Sequence, residues 1–233
     1  MRTWLGRLAR DFARKIVDKA ETTAACAPTL HLVGRLLRQR REDRGSAKLY
    51  SLHAPEVECI GKGKARARFE FGVKVSIATT NAATPGGQFV VGARALPGNP
   101  YDGHTLAAQI AQTERITGVA VERAYVDRGY RGHDAPHPCR VVISGQKRGV
   151  FGSIKRELRR RSAIEPVIGH MKSEGHLGRC YLKGRDGDAA NAILSAIGHN
   201  LRRVLAWLRM ILCLILLALF RTFAITPALK PAS

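Results

Sequence analysis

Two carboxylates in this chain stand in surroundings suited to phosphate chemistry. Asp127 closes the apolar run Ala124-Tyr125-Val126 and opens the loop Arg128-Gly129-Tyr130-Arg131-Gly132. A carboxylate at the carboxyl end of a strand, with glycines that let backbone come close, is how an α/β sheet presents a metal ligand. Aspartate also opens ordinary turns, so on sequence alone both readings stand. Glu165 lies in Arg159-Arg160-Arg161-Ser162-Ala163-Ile164-Glu165-Pro166, with Lys172 seven residues further on. In a helix, offsets of four and seven residues return near the starting azimuth, so Arg161, Glu165 and Lys172 would share a face. That arrangement suits a metal ligand flanked by phosphate contacts, and equally an intrahelical ion pair of small energy. Pro166 interrupts the pattern by removing a backbone hydrogen bond, so the shared face requires a mild kink or a helix that restarts there.

The charge around these residues favours a polyanion over a small anion. Residues 146–183 hold ten Lys and Arg against three Glu, with Phe151 and Tyr181 interleaved. Lys62, Lys64, Arg66 and Arg68, spaced by two, would line one side of an extended segment and lengthen the same footprint. The whole chain carries 39 Lys and Arg against 18 Asp and Glu, a formal net charge of +21. Such an excess repels itself unless nucleic acid or an anionic membrane surface screens it. At 45% hydrophobic residues the chain is not a disordered basic tail. His170 and His176 have no Cys or second His at metal spacing and read as polar surface or phosphate contacts. The five cysteines are scattered, which excludes a disulfide framework and fits thiols kept reduced in cytosol.

Positioning these groups requires an α/β plan. Leu5, Leu8, Phe12 and Ile16 have the spacing of an amphipathic helix from Trp4 to about Lys19, and a second helix runs from Leu30 to about Arg41. These two basic helices read as a solvated hairpin or as a phosphate clamp. Ala65, Ala67, Phe69, Phe71, Val73, Val75 and Ile77 then alternate with polar residues as one half-buried strand. A Pro85-Gly86-Gly87 turn leads to a second strand from about Gln88 to Leu96. Asp102 is placed to cap a helix from His104 to Thr113. Ala124-Tyr125-Val126 and Val141-Val142-Ile143 look like further strands of the same sheet. After Gly149 the chain turns helical, with an apolar stripe from Ala190 to Leu208.

The apolar stretch Val204–Phe220 falls short of the roughly 20 residues that a membrane span needs, and Arg209 lies inside it. It reads instead as a helix buried against the core or a partner.

Three segments carry a family resemblance: Leu49-Tyr50-Ser51-Leu52-His53-Ala54-Pro55-Glu56-Val57-Glu58-Cys59-Ile60-Gly61-Lys62-Gly63-Lys64, then Glu70-Phe71-Gly72-Val73-Lys74-Val75, then Ala95-Leu96-Pro97-Gly98-Asn99-Pro100-Tyr101-Asp102-Gly103-His104-Thr105-Leu106. Together they resemble bacterial insertion-sequence transposases of the DDE class, from the start of the chain to about residue 210. The resemblance implies a ribonuclease-H-like mixed sheet with flanking helices over residues 49–188. Basic helices at 1–48 would precede it and an apolar helical region at 189–225 would follow. It implies two Mg2+ or Mn2+ ions held by two Asp and one Glu, with Asp127 as the second carboxylate and Glu165 as the third. Arg161 and Lys172 match the family's helical signature, but Leu158 stands where its Tyr is expected. Arg159, Arg160, Lys62, Lys64, Arg66 and Arg68 join them as DNA contacts. The implied activity is DNA cleavage and strand transfer at element ends, in the bacterial cytoplasm at the nucleoid. DNA is the implied partner, together with a homo-oligomer or a full-length transposase. The family's first Asp lies on an early strand, and Asp11, Asp18 and Asp43 occupy polar, helix-like settings. The expectation is therefore an N-terminally truncated chain, a remnant or one piece of a split reading frame. Its triad would be incomplete, and its alternative role a catalytically inactive DNA-binding regulator.

Overall fold

The computed structural model describes residues 2–43, 45–61, 68–82 and 86–224, and they form two units. Lys62, Lys64, Arg66, Ala65 and Ala67, and Pro85 of the expected turn, lie outside the described residues. The first unit takes in residues 1–75, 95–100 and 180–190, and the second takes in the rest.

In the first unit, helix α1 (Arg2–Ile16) realises the three-to-four spacing of its apolar residues and buries Ile16. Helix α2 (Ala20–Arg38) packs against it, with Leu37 facing Gly6, where a Cβ would stand at an ordinary contact distance of 3.8 Å from the Leu37 methyls. Helix α2 starts ten residues before the expected Leu30. Its first half is rich in alanine, the best helix former, which carries no apolar stripe to read. The Thr23 hydroxyl donates to the Ile16 carbonyl at 2.6 Å and so satisfies one of the last acceptors of α1. Beyond α2 the buried Gln39 accepts from Leu49 N–H at 2.7 Å, which seats Leu49 at 2% exposure. Strand β1 (Glu58–Gly61) pairs antiparallel with β2 (Phe69–Gly72), Glu58 opposite Gly72 and Gly61 opposite Phe69.

The single strand expected from Ala65 to Ile77 is in fact two. Gly72 adopts φ of 145°, a conformation that side chains disfavour, and the strand breaks there. Strand β3 (Lys74–Thr79) resumes after it and pairs with β4 (Val90–Leu96). Thr80 N–H donates to Phe89 O and Phe89 N–H to the Thr80 hydroxyl, closing the hairpin.

In the second unit β4 buries Val90, Gly92 and Ala93, and the missing side chain of Gly92 makes room for Gln109 and Thr113. Those two belong to α3 (Leu106–Thr117), which also buries Leu106 and Ile110 and stops at Gly118 in the left-handed conformation. Strand β5 (Arg123–Val126) pairs with β6 (Arg140–Ile143) in parallel, Val126 opposite Ile143. Helices α4 (Gly152–Arg160), α5 (Ile164–Ser173) and α6 (Gly184–Ala224) follow.

The mixed α/β composition is as expected, but the common sheet is not: among the described residues the strands form three separate two-stranded ladders. The C-terminal stretch also departs from expectation. Its most apolar part is long and apolar enough to cross a membrane by length and composition, and none of it is buried against the rest of the chain.

Candidate active site

Asp127 ends β5, and its carboxylate closes a single 3-10 turn, Arg128–Tyr130, by accepting from Gly129 N–H at 2.9 Å. The turn-opening role and an exposed carboxylate therefore coexist: Oδ1 holds the loop, and the residue remains exposed. Gly129 is essential to the geometry. A Cβ there would stand 2.7 Å from Asp102 Oδ2 and 3.1 Å from Asp127 Oδ1, so the two carboxylates converge on one bare backbone position.

Asp102 was expected to cap the following helix, and it does not. It opens a 3-10 turn (Asp102–Thr105), and α3 is capped instead by Asp134, whose Oδ1 accepts from Ala107 N–H at 2.8 Å. Two further bonds tie this turn to the segment that carries the Asp127 loop, and a third closes the turn on itself. Tyr101 O–H donates to Arg131 O at 2.7 Å, Asp134 N–H donates to Gly103 O at 3.0 Å, and the Thr105 hydroxyl donates to Asp102 O at 2.7 Å. Gly103 faces the Arg131 and Gly132 carbonyls, at 3.1 and 3.3 Å from where its Cβ would be. The Tyr130 phenol enters the same region, hydrogen-bonded to Ser76 and Thr105. Burial raises it above its ordinary value, and the Asp102 and Asp127 charges add to that, so it stays a proton donor.

Across the ladder Ser144 N–H donates to Val126 O at 2.9 Å. The Arg128 guanidinium lies over Gly145, whose Cβ would be 2.9 Å from Nη2. The segment after β6 is thus bonded to the end of β5 and lies against the Arg128 side chain.

Glu165 is exposed at the second position of α5. The continuous helix face expected for Arg161, Glu165 and Lys172 is replaced by a break, because Arg161–Ala163 forms a 3-10 turn between α4 and α5. Pro166 falls in the first turn of α5, where its missing N–H has no intrahelical partner to lose. Among the described residues no ion pair joins Arg161 to Glu165. Arg159 and Arg160 are exposed in the last turn of α4, Arg161 is half-buried, and Lys172 is exposed in the last turn of α5. Leu158, in the place of the expected Tyr, is half-buried on α4. Arg68 is exposed just ahead of β2, in the first unit.

His170 is exposed on α5, in keeping with polar surface, and it pairs with a carboxylate. Its Nδ1 lies 2.6 Å from Glu174 Oε1, and Arg202 Nε lies 3.3 Å from Glu174 Oε2. The His170 contact, helped by the Arg202 charge, holds the Glu174 carboxyl below its usual range. Together with His199, Arg203 and Ala206 these residues line a shallow cleft.

Asp127, Asp102 and Glu165 are hard oxygen donors of the type that binds Mg2+ or Mn2+. Among the described residues, however, no three His, Cys, Asp or Glu side chains converge to hold an ion. The pair at Gly129 fits a divalent cation in donor type and falls short of a complete set.

Residues 146–205 match the family model described as the transposase DDE domain, a segment that contains α4, α5, Glu165 and the first half of α6. Searches of curated proteins and of solved structures returned no match.

Proposed function

We propose that the chain, whose residues 146–205 match the transposase DDE domain, acts on DNA as part of an insertion-sequence transposase of the DDE class. The observation that carries this reading is the exposed Asp127 at the carboxyl end of a parallel strand pair, in a chain whose matched segment contains Glu165. Asp127 and Glu165 are the carboxylates of the metal site. Arg159, Arg160, Arg161 and Lys172 contact phosphates, and Arg68, with Lys62, Lys64 and Arg66, extends the contact. The ribonuclease-H-like architecture, the bacterial cytoplasm and DNA as partner belong to the same reading.

The chain's own residues do three things in it. Asp127 presents a carboxylate oxygen while Gly129 N–H fixes the other, so the ligand is oriented before anything binds. The protonated Tyr130 phenol holds the 3-10 turn of Asp102 against the loop. The arginines at the end of α4 supply exposed charge, and a net charge of +21 draws DNA to them. A divalent ion, when bound, supplies Lewis acidity for phosphodiester attack by water or a 3′-hydroxyl.

A second reading is supported by the absence of three converging ligands among the described residues: a DNA-binding regulator without turnover. Nicking of DNA carrying the element's ends, in Mg2+ and in Mn2+, separates the two. Wild-type activity lost in Glu165→Gln and in Asp127→Asn is the outcome the first reading expects. Binding without nicking in every protein would leave only the regulator.

A further inference from the structure

The cleft between α5 and α6 gathers more positive charge than its one carboxylate neutralises. His170 and Glu174 face it from α5, and His199, Arg202 and Arg203 face it from α6. Glu174 is taken up by His170 Nδ1 at 2.6 Å and by Arg202 Nε at 3.3 Å. Arg203 has no ion pair among the described residues. Its half-buried side chain lies across the bare backbone of Gly87, with Nη1 3.6 Å from where a Cβ would stand. Packing, and not a carboxylate, therefore holds that guanidinium at the cleft. His199, 2% exposed, lines the same cleft. Its Nε2 lies 3.2 Å from the Gln88 carbonyl, which can only accept, so the neutral ring carries its proton there and leaves Nδ1 over.

We propose that this cleft is a phosphate-binding subsite, in which Arg203 and His199 take one backbone phosphate of DNA while Glu174 holds Arg202 beside them. The proposal rests on the reading of the chain as a DNA-acting protein, and adds a contact site other than the arginines that end α4.

Like charges crowded around a buried imidazole call for an anion. Arg203, Arg202 and His170 all press His199 towards its neutral form, and Glu174 is the only carboxylate lining the cleft. An oxyanion set against Arg203 reverses that balance. The imidazole then gains a proton, and Nδ1–H becomes a second donor beside the guanidinium. A guanidinium offers paired N–H groups that match two oxygens of a phosphate. DNA is favoured over a free anion because the cleft is shallow, and because a net charge of +21 concentrates a polyanion at the surface.

Titrations of the whole chain against a labelled DNA duplex, read by fluorescence anisotropy, are the test. Arg203→Gln should make the slope of log affinity against log salt shallower by about 0.9, the equivalent of one phosphate. Arg203→Lys keeps the charge and should keep the slope. Glu174→Gln should bind DNA more tightly, since it removes the carboxylate that repels a phosphate, whereas a cleft with only a structural role would make it bind more weakly. In NMR spectra, the ring signal that His199→Gln lacks should titrate at higher pH once the duplex is added, and should stay in place in Arg203→Gln. Inorganic phosphate replaces the duplex in a parallel titration. A response to inorganic phosphate with none to DNA makes the cleft a free-anion site and overturns the proposal. DNA binding with an unchanged slope in Arg203→Gln and an unmoved His199 ring overturns the cleft and leaves the DNA-acting reading standing. Loss of DNA binding in every protein, wild type included, overturns both.

Discussion

Asp102 and Asp127 meet across the bare backbone of Gly129, one carboxylate from the turn before α3 and the other from the end of β5. Twenty-five positions separate them in the chain, and the bonds from Tyr101 to Arg131 and from Asp134 to Gly103 make them neighbours.

Gly129→Ala tests that relationship directly. Gly129 does not have a positive φ, so the added methyl acts by overlap with the two carboxylates rather than by backbone strain. Overpacking of this kind costs about 1–3 kcal/mol. Thermal denaturation is expected to show that loss, with DNA binding retained and any metal-dependent nicking abolished. Unchanged stability and nicking would mean that the carboxylates part without consequence.

Tyr125 donates its hydroxyl to Glu157, which also pairs with Arg123 at 3.4 Å. Burial first, and the Glu157 bond second, push the Tyr125 phenol from 10.0 up to about 12. A raised phenol favours its protonated form in the folded chain. The stabilisation is therefore complete below pH 10 and is lost as the pH rises from 10 towards 12. Tyr125→Phe should cost about 1.5–3 kcal/mol near neutral pH, the usual worth of a hydrogen bond to a charged group. It should also flatten the alkaline limb of a stability profile. A limb of unchanged steepness would assign it to other groups.

His199 gives the opposite limb. Burial holds it below its ordinary 6.5, against the pull of its bond to Gln88 O at 3.2 Å, and Arg203, Arg202 and His170 add to the depression. Its contribution is present above pH 6.5 and is lost as the pH falls through that value towards the folded one. Urea titrations are expected to show stability falling below pH 6.5 in wild type and falling less in His199→Gln.

Asn200 holds both backbone groups of Val90, accepting from its N–H and donating to its carbonyl, each at 2.8 Å. Asn200→Leu leaves a partly buried peptide group without partners, at a cost of about 2–4 kcal/mol for the two bonds together. Asn200→Asp keeps the acceptor alone and should fall between the two in thermal denaturation.

DNA binding should weaken steeply with salt if the arginines contact phosphates. Arg159→Ala/Arg160→Ala removes two such contacts, and the slope of log affinity against log salt should become shallower by about 1.8. An unchanged slope would place the phosphate contacts elsewhere on the chain.

The sequence and the fold agree where a local signal decides the outcome. An apolar triplet before Asp127 and two glycines after it are enough to make a strand and a tight turn, and the structure has both. The apolar repeat of α1 and the Gly118 stop of α3 are local in the same sense. Disagreement arises where a distant group decides. Nothing beside Asp102 in sequence says that Asp134 will take the helix cap and leave it facing Asp127. Hydrophobic alternation runs unbroken through Gly72, yet the backbone turn there divides the strand between two ladders. The helical stripe of α6 was readable, whereas its exposure depends on which neighbours the rest of the chain provides.

The clasp of Arg128 over Gly145, together with the bond from Ser144 to Val126, has a mechanical consequence. Lifting the Asp127 turn carries the guanidinium off the bare backbone of Gly145, so the turn and the segment after β6 share a contact as well as a bond. In hydrogen exchange the amides of Gly129 and Ser144 should therefore open as one unit, at one rate. Cutting the clasp with Arg128→Ala should let the Gly129 amide exchange ahead of its neighbour across the ladder.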